Sequence, residues 1–228
     1  MLYLIGIGLS VKDISLKAVE TIKKCEKVYL ENYTNKVEKY LEEIIGDFEI
    51  LSRDQVENFN VEEAKNQDIC LLVSGDPLSA TTHIQLMIDC KNAGIKFDVI
   101  HSSSIYTAVA KTGLQLYKFG RTTTLTFFEV ASPYEVIKKN KENGFHSLVL
   151  LDIDNGKCMS AKEAAELLIK NQAVKEDEKI VACSNLGKEN EKIIFDSVDK
   201  ISLEEVPACI IVPGSLNEKE EEALNTLW

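Results

Sequence analysis

Apolar residues nowhere run on for the roughly 18–20 positions that a membrane-spanning helix needs. Cysteine never occurs in a C-x-x-C pair. The six residues are Cys25, Cys70, Cys90, Cys158, Cys183 and Cys209, the nearest two twenty positions apart. That spacing argues against a zinc site, and a disulfide framework serves little purpose in a chain of this size. The cysteines read instead as small buried hydrophobes. The three histidines, His83, His101 and His146, are scattered and make no metal motif. Positive charge is short as well, 26 Lys and Arg against 37 Asp and Glu, a net charge of −11. This balance counts against broad binding of nucleic acid or anionic membrane and suits a basic partner. The opening MLYLIGIG has neither a basic leader nor a small-residue cleavage site, so a cytoplasmic globular protein is expected. There is no P-loop, no nucleophile elbow and no Ser-His-Asp order, and no short repeat that would indicate a solenoid.

What is present is 228 residues, 45% hydrophobic and 28% charged, enough for one large domain or two small ones. Strand-like and helix-like segments alternate. Strands are expected at Leu2–Ile5, Val28–Leu30, Phe48–Leu51, Ile69–Val73 and Phe97–Ile100. Val37, Tyr40, Leu41, Ile44 and Ile45 form the stripe of an amphipathic helix ended by Gly46. Helices are also expected at Ser15–Cys25, at Thr82–Ala93 with Gly94 as a left-handed cap, and at Ile105–Lys111 behind Ser104. In the second half, strands are expected at Thr122–Phe128, Leu148–Ile153, Ile180–Cys183, Ile193–Phe195 and Cys209–Val212. Ser132-Pro133-Tyr134-Glu135 and Ser160-Ala161-Lys162-Glu163 read as capping boxes, and a last helix spans about Asn217 to Leu227. Such alternation argues an α/β fold with largely parallel sheets. With no obvious linker, the segment Leu116–Arg121 is the expected boundary, giving domains 1–118 and 119–228. Both are acidic, with 13 basic against 17 acidic residues and 13 against 20.

Three segments at successive strand ends are candidates for chemistry. Gly6-Ile7-Gly8-Leu9 lets a ligand approach backbone, although Val11 stands where a dinucleotide fingerprint has its third glycine; the other reading is a tight turn. In Ser74-Gly75-Asp76-Pro77-Leu78-Ser79-Ala80-Thr81-Thr82-His83, Asp76 either accepts hydrogen bonds from a ligand or caps the next helix, with hydroxyls at Ser79, Thr81 and Thr82 on the rim. His101-Ser102-Ser103-Ser104-Ile105-Tyr106 either holds a polar ligand or carries Ser104 as an ordinary cap. Ligands bind at the carboxyl ends of strands in open parallel sheets, so three such segments suggest one shared crevice. Gly113-Leu114-Gln115-Leu116-Tyr117-Lys118-Phe119-Gly120 reads as a connector without chemistry.

Taken in order, MLYLIGIGL, KDIS, KKCEKVYLENYT, LSRDQVE, GDPLSATTH, SIYTAVAKTGLQLYKFG, FHSLVLLDI and IIVPG closely resemble the diphthine synthase family of diphthamide-biosynthesis methyltransferases. These belong to the broader tetrapyrrole-methylase-like superfamily. The resemblance implies two α/β domains with a cofactor cleft between them, a homodimer, and S-adenosylmethionine as cofactor, leaving as S-adenosylhomocysteine. It implies methylation of the α-amino group of a modified histidine on translation elongation factor 2. Matching positions would place cofactor contacts at Leu9, Asp76, Ser79, Ser104 and Ile105, and at Leu151, Ser184 and Ala208. Ser79 replaces a more usual apolar residue, and Ala208 and Asn217 stand where histidines are common in the family. The rival readings are a tetrapyrrole or ribosomal-RNA methyltransferase of the same fold, which −11 disfavours in its RNA form, and a non-catalytic nucleotide-binding module. No residue stands out as a base, so the expected mechanism is positioning and water exclusion, with substrate ionisation setting the rising limb of the pH–rate profile.

Overall fold

The chain begins with the fully apolar strand β1 (Leu2–Gly6), which becomes an interior strand of a five-stranded parallel sheet. With β2 (Lys27–Glu31), β3 (Glu49–Leu51), β4 (Ile69–Val73) and β5 (Phe97–Ile100) it gives the order β3-β2-β4-β1-β5. The computed structural model describes residues 1–31, 40–154 and 156–228. Val37 of the expected stripe and the Asn-Tyr-Thr end of KKCEKVYLENYT lie outside the described residues.

A parallel sheet must be covered on both faces. On one, Ile5, Leu30, Cys70 and Leu72 pack against Ala18 and Ile22 of α1 (Leu16–Ile22) and Leu41 and Ile45 of α2 (Leu41–Ile45). On the other, Leu2, Leu4, Leu71 and Val73 meet Val56 of α3 (Arg53–Glu57) and Leu86 and Cys90 of α4 (Ile84–Asn92). The expectations did not include α3, which opens with a capping box between Ser52 and Gln55. This two-sided cover has one consequence for function. β1 and β4 are neighbours, yet the chain leaves β1 for α1 on one face and β4 for α4 on the other. Their carboxyl ends therefore form a topological switch point, where open α/β sheets leave a crevice.

The chain divides into two compact units, Met1–Tyr106 and Thr107–Trp228, with α5 (Ile105–Ala108) at the junction. The expected boundary, between 118 and 119, falls further along. The intervening segment packs on the C-terminal helix: a Cβ on Gly113 would meet Ala223 Cβ at 2.5 Å, and Trp228 Nε1 donates to the Thr112 carbonyl at 3.0 Å.

The second unit contains β6 (Thr123–Leu125), α6 (Ser132–Glu142), β7 (Ser147–Leu151), the small hairpin β8 (Ile153–Asp154) and β9 (Lys157–Cys158), and α7 (Ala161–Lys170). β10 (Lys179–Ser184), β11 (Lys192–Ser197), β12 (Ala208–Val212) and α8 (Glu218–Leu227) complete it. Its sheet runs β11-β10-β12-β7-β6. Only the β6–β7 pair is parallel among the described strands, so the expectation of largely parallel sheets holds for the first unit and is corrected for the second. A short turn joins β10 to β11, and such a connection permits only antiparallel pairing. α6 also differs, beginning at Ser132 itself behind Ala131, without a side-chain cap. The expected box at Ser160–Glu163 is present, and α8 opens with a further one between Asn217 and Glu220. Cys70, Cys90, Cys183 and Cys209 are buried and Cys25 and Cys158 half-buried, all as free thiols.

Glu220 ties α8 to the segment that opens the unit. Its fully buried carboxylate accepts from the Gln115 N–H, the Asn217 N–H and His146 Nε2, each at 3.0 Å, and pairs with Lys118. Burial works against its charge, but Lys118 and the other donors outweigh it and hold the carboxyl at about 2, against an ordinary 4.5. The Gly214 N–H donates to His146 Nδ1 at 2.9 Å, which fixes the neutral ring with its proton on Nε2. Burial pushes this imidazole below its ordinary 6.5 despite Glu220.

Both shifts are downward, so both contributions to stability are complete above the unfolded-state value and are lost on acidification. Melting temperature is expected to begin falling below pH 6.5, when the unfolded chain takes up a proton that folded His146 refuses. It should fall more steeply from pH 4.5 towards 2 as Glu220 protonates, a loss of up to about 3 kcal/mol. Circular-dichroism melts of the wild type and Glu220→Gln check this; the variant should start lower and lose the steeper acid limb.

Candidate functional site at the ends of the parallel strands

Beyond the switch point the loops after β1 and β4 bond to each other before they part. The Gly8 N–H donates to the Gly75 carbonyl at 3.1 Å, and the Gly75 N–H to the Gly8 carbonyl at 2.9 Å. The glycines are demanded by this packing. A Cβ on Gly6 would lie 2.6 Å from the Gly75 carbonyl oxygen and 2.9 Å from Pro77 Cδ. Gly8 has φ +80, and its Cβ would strike Asp13 at 2.3 Å. The loop after β5 joins them through Ser103, whose hydroxyl donates to Asp13 Oδ2 at 2.7 Å and accepts from the Leu9 N–H at 3.1 Å.

Asp76 is the hub of this cluster. Oδ1 accepts from the Leu78 N–H at 3.0 Å and the Ser79 hydroxyl at 3.4 Å; Oδ2 accepts from His101 Nδ1 at 2.7 Å and the Ser102 N–H at 3.2 Å. Its partial burial opposes charge, but the Leu78 N–H, His101 and the Ser102 N–H outweigh that and hold the carboxyl below the usual range. With four donors on it, the carboxylate clasps the turn after β4 to the loop after β5. Of the rim hydroxyls, Thr81 turns back to the Pro77 carbonyl at 2.6 Å.

Behind the turn lies a pair that sequence reasoning missed. His83, 2% exposed, meets the Pro77 carbonyl through Nδ1 at 3.0 Å and Glu31 Oε2 through Nε2 at 3.0 Å; Glu31 is fully buried at the end of β2. Because a carbonyl only accepts, Nδ1 carries a proton and donates it to Pro77. The available signal was a glutamate ending the otherwise apolar strand KVYLE. A lone histidine after Thr82 looks like any core histidine.

The first-unit residues named from the resemblance thus gather at one end of one sheet: Leu9, Ser79 and Ile105 half-buried, Asp76 and Ser104 buried. In the second unit, Ser184 and Ala208 face each other across β10 and β12, while Cys209 pairs with Leu150, the neighbour of Leu151. These three share one end of the second sheet. The Ser184 hydroxyl is buried and has no partner among the described residues, a cost that an incoming acceptor or donor would relieve. In the first unit, a carboxylate kept ionised among serine hydroxyls fits a cationic ligand bearing hydroxyl groups.

The family model for tetrapyrrole (corrin/porphyrin) methylases matches residues 1–202. Over its whole length the chain is 41% identical to the diphthine synthase of Methanocaldococcus jannaschii and 38% identical to that of Methanococcus aeolicus, covering 98% of each. A crystal structure of a diphthine synthase superposes with a TM-score of 0.91 at 32% identity, covering 99% of this chain and 95% of that one. The chain belongs to the tetrapyrrole methylase family and, within it, to the diphthine synthases; it is a methyltransferase of diphthamide biosynthesis.

Removing the clasp should loosen the loops. Asp76→Ala strands the Leu78 and Ser102 N–H groups and is expected to cost about 1–3 kcal/mol in urea unfolding. An unchanged midpoint would show that the carboxylate does not hold the loops together.

Proposed function

We propose that this methyltransferase uses S-adenosylmethionine to methylate the α-amino group of the 3-carboxy-3-aminopropyl-histidine of translation elongation factor 2, giving diphthine. The observation that carries the reading is the clasped strand-end crevice in a chain that aligns with diphthine synthases from end to end. We assign its cofactor contacts to Leu9, Asp76, Ser79, Ser104 and Ile105, and to Leu151, Ser184 and Ala208. When bound, the cofactor supplies an electrophilic sulfonium methyl group, and S-adenosylhomocysteine remains. The protein's own part is to orient the amine and exclude water. Asp76, kept ionised, adds negative charge where a cation is to be bound. His83 and Glu31 contribute from behind by fixing the Pro77 carbonyl, and hence the Gly75–Ser79 turn.

The enzyme is proposed to work in the cytoplasm as a homodimer burying at least roughly 1,200 Å². No helix among the described residues is long and apolar enough to cross a membrane. Full-length likeness to diphthine synthases disfavours both tetrapyrrole or ribosomal-RNA methylation and a non-catalytic binding module.

Mass spectrometry of elongation factor 2 carrying the aminocarboxypropyl histidine, incubated with enzyme and S-adenosylmethionine, tests the proposal. The expected product gains methyl mass on that residue, and light scattering of the enzyme should give twice 25.5 kDa. Methyl transfer to a tetrapyrrole or ribosomal RNA in its place would refute the assignment.

A further inference from the structure

The three histidines differ in what their rings still offer. His83 and His146 are buried, and both nitrogens of each ring already face a protein partner at 2.9–3.0 Å. His101, the first residue after β5, has a side chain 67% exposed. Its Nδ1 lies 2.7 Å from Asp76 Oδ2, while its Nε2 has no partner among the described residues. An ionised carboxylate only accepts, so Nδ1 carries the ring proton and donates it. Nε2 is then the basic nitrogen, its lone pair directed to solvent at the rim of the crevice. Asp76 also accepts the Ser102 N–H at 3.2 Å, which anchors the backbone from which the ring projects. The other ionisable groups on the elements packed here are Asp13, holding the Ser103 hydroxyl, and Asp98 of β5, 3.4 Å from Lys17. Two of these neighbours, Asp76 and Asp13, bond directly to the 101–103 loop.

We propose that His101, oriented by Asp76, is the base that takes the proton an amine must shed to be methylated. The inference rests on the amine substrate proposed above. An α-ammonium group has no lone pair with which to attack. One N–H proton passes to His101 Nε2, and the electrons of that bond become the nitrogen lone pair. The nitrogen then forms the new N–C bond, and the pair of the broken sulfur–carbon bond stays on sulfur. The imidazolium finally gives its proton to water, which its exposure permits. Each methyl added thus releases one proton, and the charges balance. A base of this kind replaces the positioning-only mechanism expected from the sequence.

The size of the effect follows from the amine. With a pKa near ~7.7–8.0, roughly one α-amine in ten is neutral at pH 7 and nearly all are by pH 9. The test uses the full-length enzyme with modified elongation factor 2 and saturating S-adenosylmethionine. His101→Asn keeps a side-chain N–H for Asp76, so the clasp survives while the base is lost. Its turnover should fall about tenfold at pH 7 and less than twofold at pH 9, with cofactor affinity by calorimetry within twofold of wild type. Added imidazole should restore His101→Ala at pH 7 but not His83→Ala. Independently of activity, nitrogen-15 NMR of the wild type should show His101 protonated on Nδ1 and bare on Nε2. Equal losses at the two pH values, losses that track cofactor affinity, no loss at pH 7, or a proton on Nε2 would each overturn the role of His101. A wild-type enzyme that binds cofactor yet methylates no amine would overturn the substrate reading itself, and is distinguished by silence in every variant.

Discussion

Adjacent β1 and β4 send their chains to opposite faces of one sheet, and the candidate site depends on that constraint. Two loops leaving a common edge in opposite directions expose backbone polar groups between them, and those groups need partners. The structure supplies the partners from within. Gly8 and Gly75 exchange two backbone hydrogen bonds, and the Asp76 carboxylate gathers donors from its own turn and from the loop after β5. The loops at the strand ends are therefore tied together by the protein's own hydrogen bonds.

The same solution recurs in the second unit with different chemistry. Glu220 collects backbone and side-chain donors from three stretches of chain and draws α8 onto the segment after α5. Buried ionic groups are costly unless every lone pair is used, and here each carboxylate is fully engaged. The second histidine–glutamate pair, His83 with Glu31, lies directly behind the Asp76 turn. Both side chains are buried, so removing either partner would leave the other stranded behind the turn. On the surface, by contrast, the excess of acidic residues is met by exposed lysine pairs such as Lys162 with Glu204, which contribute little individually.

Much of this was legible beforehand. Ile69–Val73 was readable as a buried parallel strand because five apolar residues in succession leave no polar face. The capping box at Ser160 was readable because both halves lie within four residues. The three strand-end loops were readable from the glycine, proline and serine residues that follow each apolar run. What escaped was non-local. The antiparallel pairing of β10 with β12 depends on register between distant segments, which apolar runs do not encode. Glu31 and His83 are more than fifty positions apart, and His101 meets Asp76 across 25. Their pairing follows only from the strand order. The contacts that draw the segment 107–118 to α8 likewise come from the far end of the chain.

The central claim is that a methyl donor is held by the loops after β1, β4 and β5. It is tested most directly by following backbone amide signals of the whole protein as S-adenosylhomocysteine, the unreactive product, is added. The account predicts the largest shifts at Gly75–Ser79 and Ser102–Ile105, and little effect on the signals of α2 and α6. Binding that leaves those loop amides unmoved and shifts other regions instead would contradict it.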